Sequence, residues 1–276
     1  MNLNLLKHIP PEIREKYQKQ NTGPISDPQK ESDVLNSLDG DLTGYDCPQC
    51  KNKGVIYLMD GNYVVSRECE CMAVRRARAL LQNSGLSEIL KEYRLDNYKT
   101  GEKWQREFKS GAIRYLNDHD RKWFFAGGQP GVGKTHICTA MAAQFLEQGV
   151  PVRYMVWKEE TTRIKGVIND ESEYSKIINT LQSIPVLYID DLFRPTKDDR
   201  GMKRPPTPGD INIAWDILNH RYINNLPTII STERTIDELI DIDEAIGSRI
   251  YQRTKAYCFS FDTDRLKNYR LTGEKL

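Results

Sequence analysis

The chain has 276 residues, 38% of them hydrophobic and 29% charged, with a net charge of +1. That is enough for a sizeable core and about two domains, and too balanced to hold nucleic acid by gross charge alone, although a local basic groove remains open. No run approaches the roughly eighteen apolar residues of a membrane span, and Met1–Pro10 lacks the apolar core and cleavage site of a secretory signal, so the chain reads as cytoplasmic, where six cysteines point to metal rather than disulfides.

Residues 1–40 are polar and form an expected flexible or helical arm. Leu3–Leu6 and Ile13–Tyr17 have the spacing of short amphipathic helices, interrupted by Pro10-Pro11. Asn21–Lys30, with Gly23, Pro24 and Pro28, reads as a linker. The arm is either a partner-binding segment or a poorly ordered terminus.

Residues 41–100 read as a metal-binding lobe followed by a connecting helix. Cys47-Pro48-Gln49-Cys50 presents two thiols from one tight turn, and Gly54 lets the chain leave it. Val55–Met59 and Tyr63–Ser66 alternate as strands around an Asp60-Gly61 turn. That hairpin returns Cys69 and Cys71 beside the first pair, giving the four thiolates that tetrahedral structural Zn²⁺ prefers. The lobe is too small to fold well unaided, which gives a metal a structural role. Free thiols or a redox pair are the alternatives, but no thioredoxin-like helix follows the first pair. Residues 72–100 look helical, broken at Ser84-Gly85 and resumed over Leu86–Tyr93. Arg75, Arg76 and Arg78 make either a basic face for a partner or nucleic acid, or a solvated face.

An α/β domain is expected over 101–276. Trp104–Leu116 has helical spacing, with Trp104, Phe108, Ile113 and Leu116 as apolar positions. A short apolar strand, Trp123–Ala126, then enters Gly128-Gln129-Pro130-Gly131-Val132-Gly133-Lys134-Thr135, which fills the template G-x-x-x-x-G-K-[ST]. A helix opening near Gly133 follows, with Ile137–Leu146 at helical spacing. Glycines let consecutive N–H groups turn onto phosphate oxygens, and the helix dipole adds to the attraction. Lys134 is expected to reach the outer phosphates of ATP or ADP and Thr135 to offer its hydroxyl to Mg²⁺. His136 completes the nucleotide-binding set Gly128–His136. A chance glycine turn would not need both flanks.

Val150–Trp157 reads as a strand, and Lys158–Leu181 as helix broken near Gly166 and Asn169. Pro185–Leu192 is an apolar strand ending in Asp190-Asp191, the Walker B arrangement. Asp190 would hold Mg²⁺, and Asp191 would orient or deprotonate the attacking water. Phe193–Asp210 is a long basic, proline-rich loop suited to a phosphate backbone or a neighbouring subunit. Ile211–Tyr222 reads as helix and Leu226–Thr232 as a strand ending in hydroxyls, where Ser231, Thr232 or Glu233 either senses phosphate or caps the next helix. Ala245–Gln252 carries Gly247-Ser248-Arg249-Ile250, and Lys255–Phe261 is the last strand. Cys138 and Cys258 read as small core residues.

Taken in order, Gly-Gln-Pro-Gly-Val-Gly-Lys-Thr, Leu-Tyr-Ile-Asp-Asp-Leu, Pro-Thr-Ile-Ile-Ser-Thr-Glu and Ile-Asp-Glu-Ala-Ile-Gly-Ser-Arg-Ile resemble the AAA+ ATPases of the DnaC/DnaI type of replicative-helicase loader, in phage-like versions. The resemblance covers roughly residues 45–265 and includes the cysteine lobe. It implies a parallel sheet with the two Walker strands separated by the strand ending at Ser231-Thr232, and a small N-terminal zinc domain. Thr232 then stands at the sensor position, and Arg249 becomes an arginine finger that completes the ATP site of an adjacent subunit in an ATP-dependent homo-oligomer. The implied partners are a hexameric replicative DNA helicase and single-stranded DNA, with no membrane. Asp191 stands where most of these ATPases have glutamate, which implies slow, switch-like hydrolysis. A C-terminal lid is expected to be absent. The alternatives are a transposition-helper ATPase of the IstB type, a P-loop small-molecule kinase, or a zinc-dependent nucleic-acid-binding module with a vestigial ATPase.

Overall fold

The computed structural model describes residues 27–83, 92–118, 120, 122–196, 199, 201 and 204–272, so the two short helices expected before residue 20 and most of the one over Leu86–Tyr93 lie outside the described residues. The chain divides into two compact units, the first ending at Arg78 and the second starting at Ala79.

The first unit opens with α1 (Pro28–Ser37). Pro28 sits at the first helical turn, where its missing N–H costs nothing, and Asp27 caps the helix by accepting from the Gln29 N–H at 3.0 Å. The proline that read as part of a linker therefore starts a helix. β1 (Val55–Asp60) and β2 (Tyr63–Glu68) pair antiparallel with Asp60 opposite Tyr63, and Gly61 takes φ 58° in the turn. Leu35 of α1 packs on Tyr57 of β1, both buried. Lys53 is fully buried and donates to the Asn36 carbonyl at 3.2 Å and to the Leu38 carbonyl, closing the C-terminal end of α1. α2 (Cys71–Asn83) begins at the fourth clustered cysteine.

In the second unit the segment after Glu92 is not helical: residues 93–100 run as turns and extended chain. α3 (Lys103–Leu116) buries Phe108, Gly111, Ala112 and Tyr115, the i, i+3, i+4, i+7 positions of one face, while Ile113 points outward at 43% exposure. Gly111 sets the approach, because a Cβ there would lie 2.0 Å from the Phe259 ring. β3 (Trp123–Gly128) is buried throughout. α4 (Lys134–Glu147) follows it, then β4 (Val152–Val156), α5 (Trp157–Gly166), α6 (Glu171–Ser183), β5 (Val186–Asp190) and α7 (Pro208–Ile223). β4 starts two residues later than the sequence suggests, after Gly149 with φ 77° and after Pro151, which lacks a ladder donor.

β6 (Thr228–Ser231), α8 (Ile236–Ile242), α9 (Glu244–Thr254) and β7 (Cys258–Phe261) complete the core. The five strands run parallel in the order β4-β5-β6-β3-β7. β3, β5 and β6 are buried on both faces, as their unbroken apolar runs require. After β7 the described chain forms only a 3-10 turn, Arg265–Lys267, and the short α10 (Tyr269–Thr272), so no helical lid follows among the described residues.

Arg221 of α7 holds the lower edge of this sheet. It is 0% exposed and donates to Thr228 Oγ1 at 2.9 Å and to the carbonyls of Leu181, Gln182, Ile184, Pro185 and Pro227. Burial lowers its pKa to about 9, still above neutrality, so the buried group remains a cation satisfied by carbonyls.

Candidate nucleotide and metal sites

The loop between β3 and α4 turns on glycines in the left-handed region: Gly128 at φ 93°, Gly131 at 81° and Gly133 at 83°. The first two also have no room for a side chain. A Cβ on Gly128 would lie 2.2 Å from the Phe261 carbonyl oxygen, and one on Gly131 would lie 2.1 Å from Asn268 Oδ1. Lys134 is buried and donates to the Gly128 and Gln129 carbonyls at 2.9 and 2.6 Å. Burial lowers its pKa to about 8, against the opposing pull of Glu233, Asp191 and Asp190.

Asp190 ends β5, and Ser231 ends the adjacent β6. Thr135 donates its hydroxyl to Asp190 Oδ1 at 3.3 Å, Ser231 donates to the same oxygen, and the Tyr154 hydroxyl reaches Oδ2 at 3.0 Å. Asp191 turns away in the left-handed region, φ 57°, and its N–H donates to Ser231 Oγ at 3.2 Å. Arg194 lies 3.3 Å from the Asp191 carboxylate. Burial raises the Asp191 pKa and the Asp190 charge adds to this, while Arg194 and Lys134 oppose it.

The structure thus brings Gly128, Gly131, Gly133, Lys134, Thr135, Asp190 and Asp191 together. Pro130, Gly131, Gly133, Lys134, Thr135, His136, Asp191 and Glu233 line one pocket, joined by Tyr93, Arg194 and Arg270. Four expected residues are engaged elsewhere. Gln129 accepts from the Asp264 N–H and donates to its carbonyl at 2.7 Å, strapping the C-terminal segment to the loop. The strap is fastened again where the Tyr269 N–H donates to the Gly131 carbonyl at 3.0 Å, and Trp104 packs beside it, 5.7 Å from Phe261 and 6.1 Å from Tyr269 between ring centres. Val132 is buried and accepts from Tyr98 at 3.2 Å. Thr232 is buried, donating to the Leu192 carbonyl at 2.6 Å and accepting from the Arg234 N–H, so its hydroxyl supports the turn after β5. The cap of α8 is Thr235, paired with Glu238.

Arg249 lies outside this pocket. Its guanidinium stacks over Trp215 at 4.5 Å and Tyr222 at 5.4 Å, and donates to the Ala245 carbonyl at 2.8 Å. His136 is among the residues lining the nucleotide pocket and turns Nε2 to the Arg94 carbonyl and Asn97 Oδ1, stacked on Tyr93 at 5.0 Å. Burial lowers its pKa.

In the first unit Cys47, Cys50, Cys69 and Cys71 are all buried, and their sulfurs lie within 4.8 Å of one another. Cys47 and Cys69 are 3.7 Å apart, Cys50 and Cys71 3.5 Å. Sulfurs about 2.3 Å from a tetrahedral zinc stand about 3.8 Å apart, so this donor set could bind zinc. The turn that makes it possible runs through Lys51 (φ 48°), Asn52 (φ 64°) and Gly54 (φ 75°). There the Gly54 N–H donates to Cys50 Sγ at 3.3 Å and the Cys47 N–H to Asn52 Oδ1 at 3.0 Å. The three arginines of α2 each have a partner within this unit, and Arg76 and Arg78 remain exposed to solvent. Arg75 donates to the Thr43 and Tyr45 carbonyls and Asn52 Oδ1, Arg78 to the Gly44 carbonyl, and Arg76 makes a two-pronged pair with Glu68 at 2.8 Å. Arg75 and Arg78 staple the loop before the cysteine turn to the helix after it, and Arg76 ties the same helix to the end of β2.

A parallel sheet with a phosphate loop on β3, paired aspartates on β5 and a hydroxyl-ended β6 between them defines an AAA+ nucleotide-binding core. The family model described as IstB-like ATP binding protein matches residues 48–246, and the chain belongs to that family. It is 34% identical over 251 residues to the phage-like element PBSX protein XkdC of Bacillus subtilis (strain 168), covering 85% of this chain and 90% of that protein. It is 25% identical over 190 residues to the replicative helicase loader DnaC of Buchnera aphidicola subsp. Schizaphis graminum (strain Sg), covering 63% and 73% of the two chains. Its fold matches the crystal structure of the DnaC helicase loader at TM-score 0.52 and 20% identity, over 64% of this chain and all of that one. It also matches that of DnaI at 0.51 and 18%, over 64% and 94%. No described helix is long and apolar enough to cross a membrane.

Proposed function

We propose that this chain is an ATP-dependent loader of a hexameric replicative DNA helicase, delivering it to single-stranded DNA with nucleotide state as the switch. The observation that carries this reading is the convergence of Lys134, Thr135 and Asp190 at the ends of β3 and β5, in a chain whose relatives include replicative helicase loaders. Bound Mg²⁺ would neutralise charge on the phosphates. Lys134 leaves the loop carbonyls for the outer phosphates, and Thr135 and Asp190 hold the cation. Asp191, freed from Arg194, orients water; its short reach makes hydrolysis slow. Ser231, joined to both aspartates, is better placed than Thr232 to register the change. Arg249, exposed in part on α9 and away from its own chain's pocket, acts on the neighbouring subunit's ATP in the oligomer. The arm (1–40) and the zinc lobe bind the helicase, and residues 101–276 form the ATPase domain, against which residues 93–100 of the connecting segment pack.

The test is native mass spectrometry of the protein with the hexameric helicase from the same source, with and without ATP. An ATP-dependent complex whose stoichiometry changes in Arg249→Ala supports the loader. Self-assembly on ATP with no helicase complex would refute it. That outcome favours a transposition-helper ATPase, the reading the IstB-like family description supports.

A further inference from the structure

Asp190 is held more firmly than the end of a strand requires. Its side chain is buried, 6% exposed, and both carboxylate oxygens are engaged by hydroxyls. Two of those hydroxyls, from Thr135 and Ser231, sit on Oδ1 and come from elements expected beside a Walker B strand. The third comes from β4 and has no counterpart in any sequence pattern. Tyr154 pairs with Tyr188 and Val156 with Asp190 in the parallel ladder between β4 and β5. Side chains two apart on a strand share a face, so Tyr154 stands on the Asp190 face one step back, and its long ring spans the diagonal. The ring packs on Tyr188 at 5.0 Å between centroids, which fixes where the hydroxyl points.

A phenol with a carboxylate neighbour acts as a donor. It occupies Oδ2 and fixes the plane of the carboxylate, leaving Oδ1 as the oxygen turned toward Thr135 and the phosphate loop. We infer that Tyr154 is a positioning residue for the divalent cation, acting through Asp190 to present Oδ1 beside the Thr135 hydroxyl. This rests on the reading that the loop binds a magnesium nucleotide. Partners that orient a metal-holding carboxylate typically alter metal affinity by about 10- to 100-fold when removed. Ser231 and Thr135 still hold Asp190 without Tyr154, so the low end applies.

Tyr154→Phe removes the hydroxyl and keeps the ring on Tyr188. The experiment titrates Mg²⁺ against the binding of a fluorescent ATP analogue by the full chain, with parallel measurements in EDTA. The expected result is an Mg²⁺ midpoint raised about tenfold, with affinity in EDTA and the melting temperature unchanged. In an Asp190→Asn background the same substitution should shift nothing further. An unchanged Mg²⁺ midpoint overturns the proposal. So does an equal loss of affinity with and without Mg²⁺, which would show a structural role only. If the wild-type chain binds no analogue and matches Lys134→Ala, the nucleotide reading fails and takes this proposal with it.

Discussion

Arg221 shows how much a single side chain carries in this fold. Its guanidinium collects five carbonyls and a hydroxyl from the end of α6, the approach to β5 and the start of β6. No apolar residue can satisfy those acceptors once they are buried, and each orphaned group costs about 1–3 kcal/mol. Arg221→Met is therefore expected to destabilise the second unit by about 3 kcal/mol or more, read as a lower urea midpoint; an unchanged midpoint would refute the clasp. The sequence does hold a signal for this residue. Ile213, Ala214, Ile217 and Leu218 mark the buried face of α7, and Arg221 continues it four residues after Ile217. A cation on an apolar stripe must find acceptors indoors. The Thr232 hydroxyl is the opposite case: its position at the strand end was readable, but the direction it faces depends on the turn at Leu192, which no spacing encodes.

At the scale of elements, close approach matters more than propensity. Gly247 lies inside α9, where alanine would ordinarily gain about 1 kcal/mol of helix propensity. A Cβ there would stand 2.6 Å from the backbone N and Cα of Ile240 in α8, atoms that cannot yield as a side chain would. The clash should win, so Gly247→Ala is expected to cost about 1–3 kcal/mol net and to displace the helix that carries Arg249, checked by thermal unfolding. α5 and α7 are tied by a different device. Asp210 pairs with Lys165 at 2.7 Å and closes a capping box with Thr207. Burial opposes its ionisation, but Lys165 and the Thr207 donors outweigh burial and hold its pKa below the usual aspartate value. Its stabilising contribution is thus present above about pH 4, the unfolded value, and is lost as pH falls through the lower folded value. The stability gap between wild type and Asp210→Asn should shrink as the pH drops below 4, which acid titration of unfolding will show. The central strands were legible as short unbroken apolar runs, and most helices through their helix formers and flanking turn residues, whereas α1 was hidden by the proline that starts it. Residues 93–100 were not legible, since their turns are set by Tyr98 and Asn97 reaching the phosphate loop and His136.

Across the whole molecule, two units depend on different sources of order. The second has a continuous apolar core around β3, β5 and β6. Among the described residues the first has two small clusters, one of them built on the cysteines themselves, so metal and fold should be gained together. Chelation is expected to abolish hydrogen-exchange protection across β1 and β2 while β3 and β5 keep theirs, and Cys69→Ser should reproduce this; retained protection in the hairpin would refute a structural metal. The cysteine set could be read from sequence because the hairpin register is fixed by its turn. The partners of Arg75 and Arg78 were not legible because those carbonyls lie some thirty residues earlier in the chain, around Thr43 and Tyr45.

The strap across the phosphate loop has an optical consequence. Gln129 ties the loop to Asp264, Gly131 ties it to Tyr269, and Trp104 lies against the rings of Phe261 and Tyr269. Any ligand that reshapes the loop must tug these attachments and change the surroundings of that indole. Trp123 and Trp157 are sealed in the core and Trp215 is stacked under Arg249, so a shift in emission that disappears in Trp104→Phe would report occupancy of the site without a label, in the intact protein and in real time.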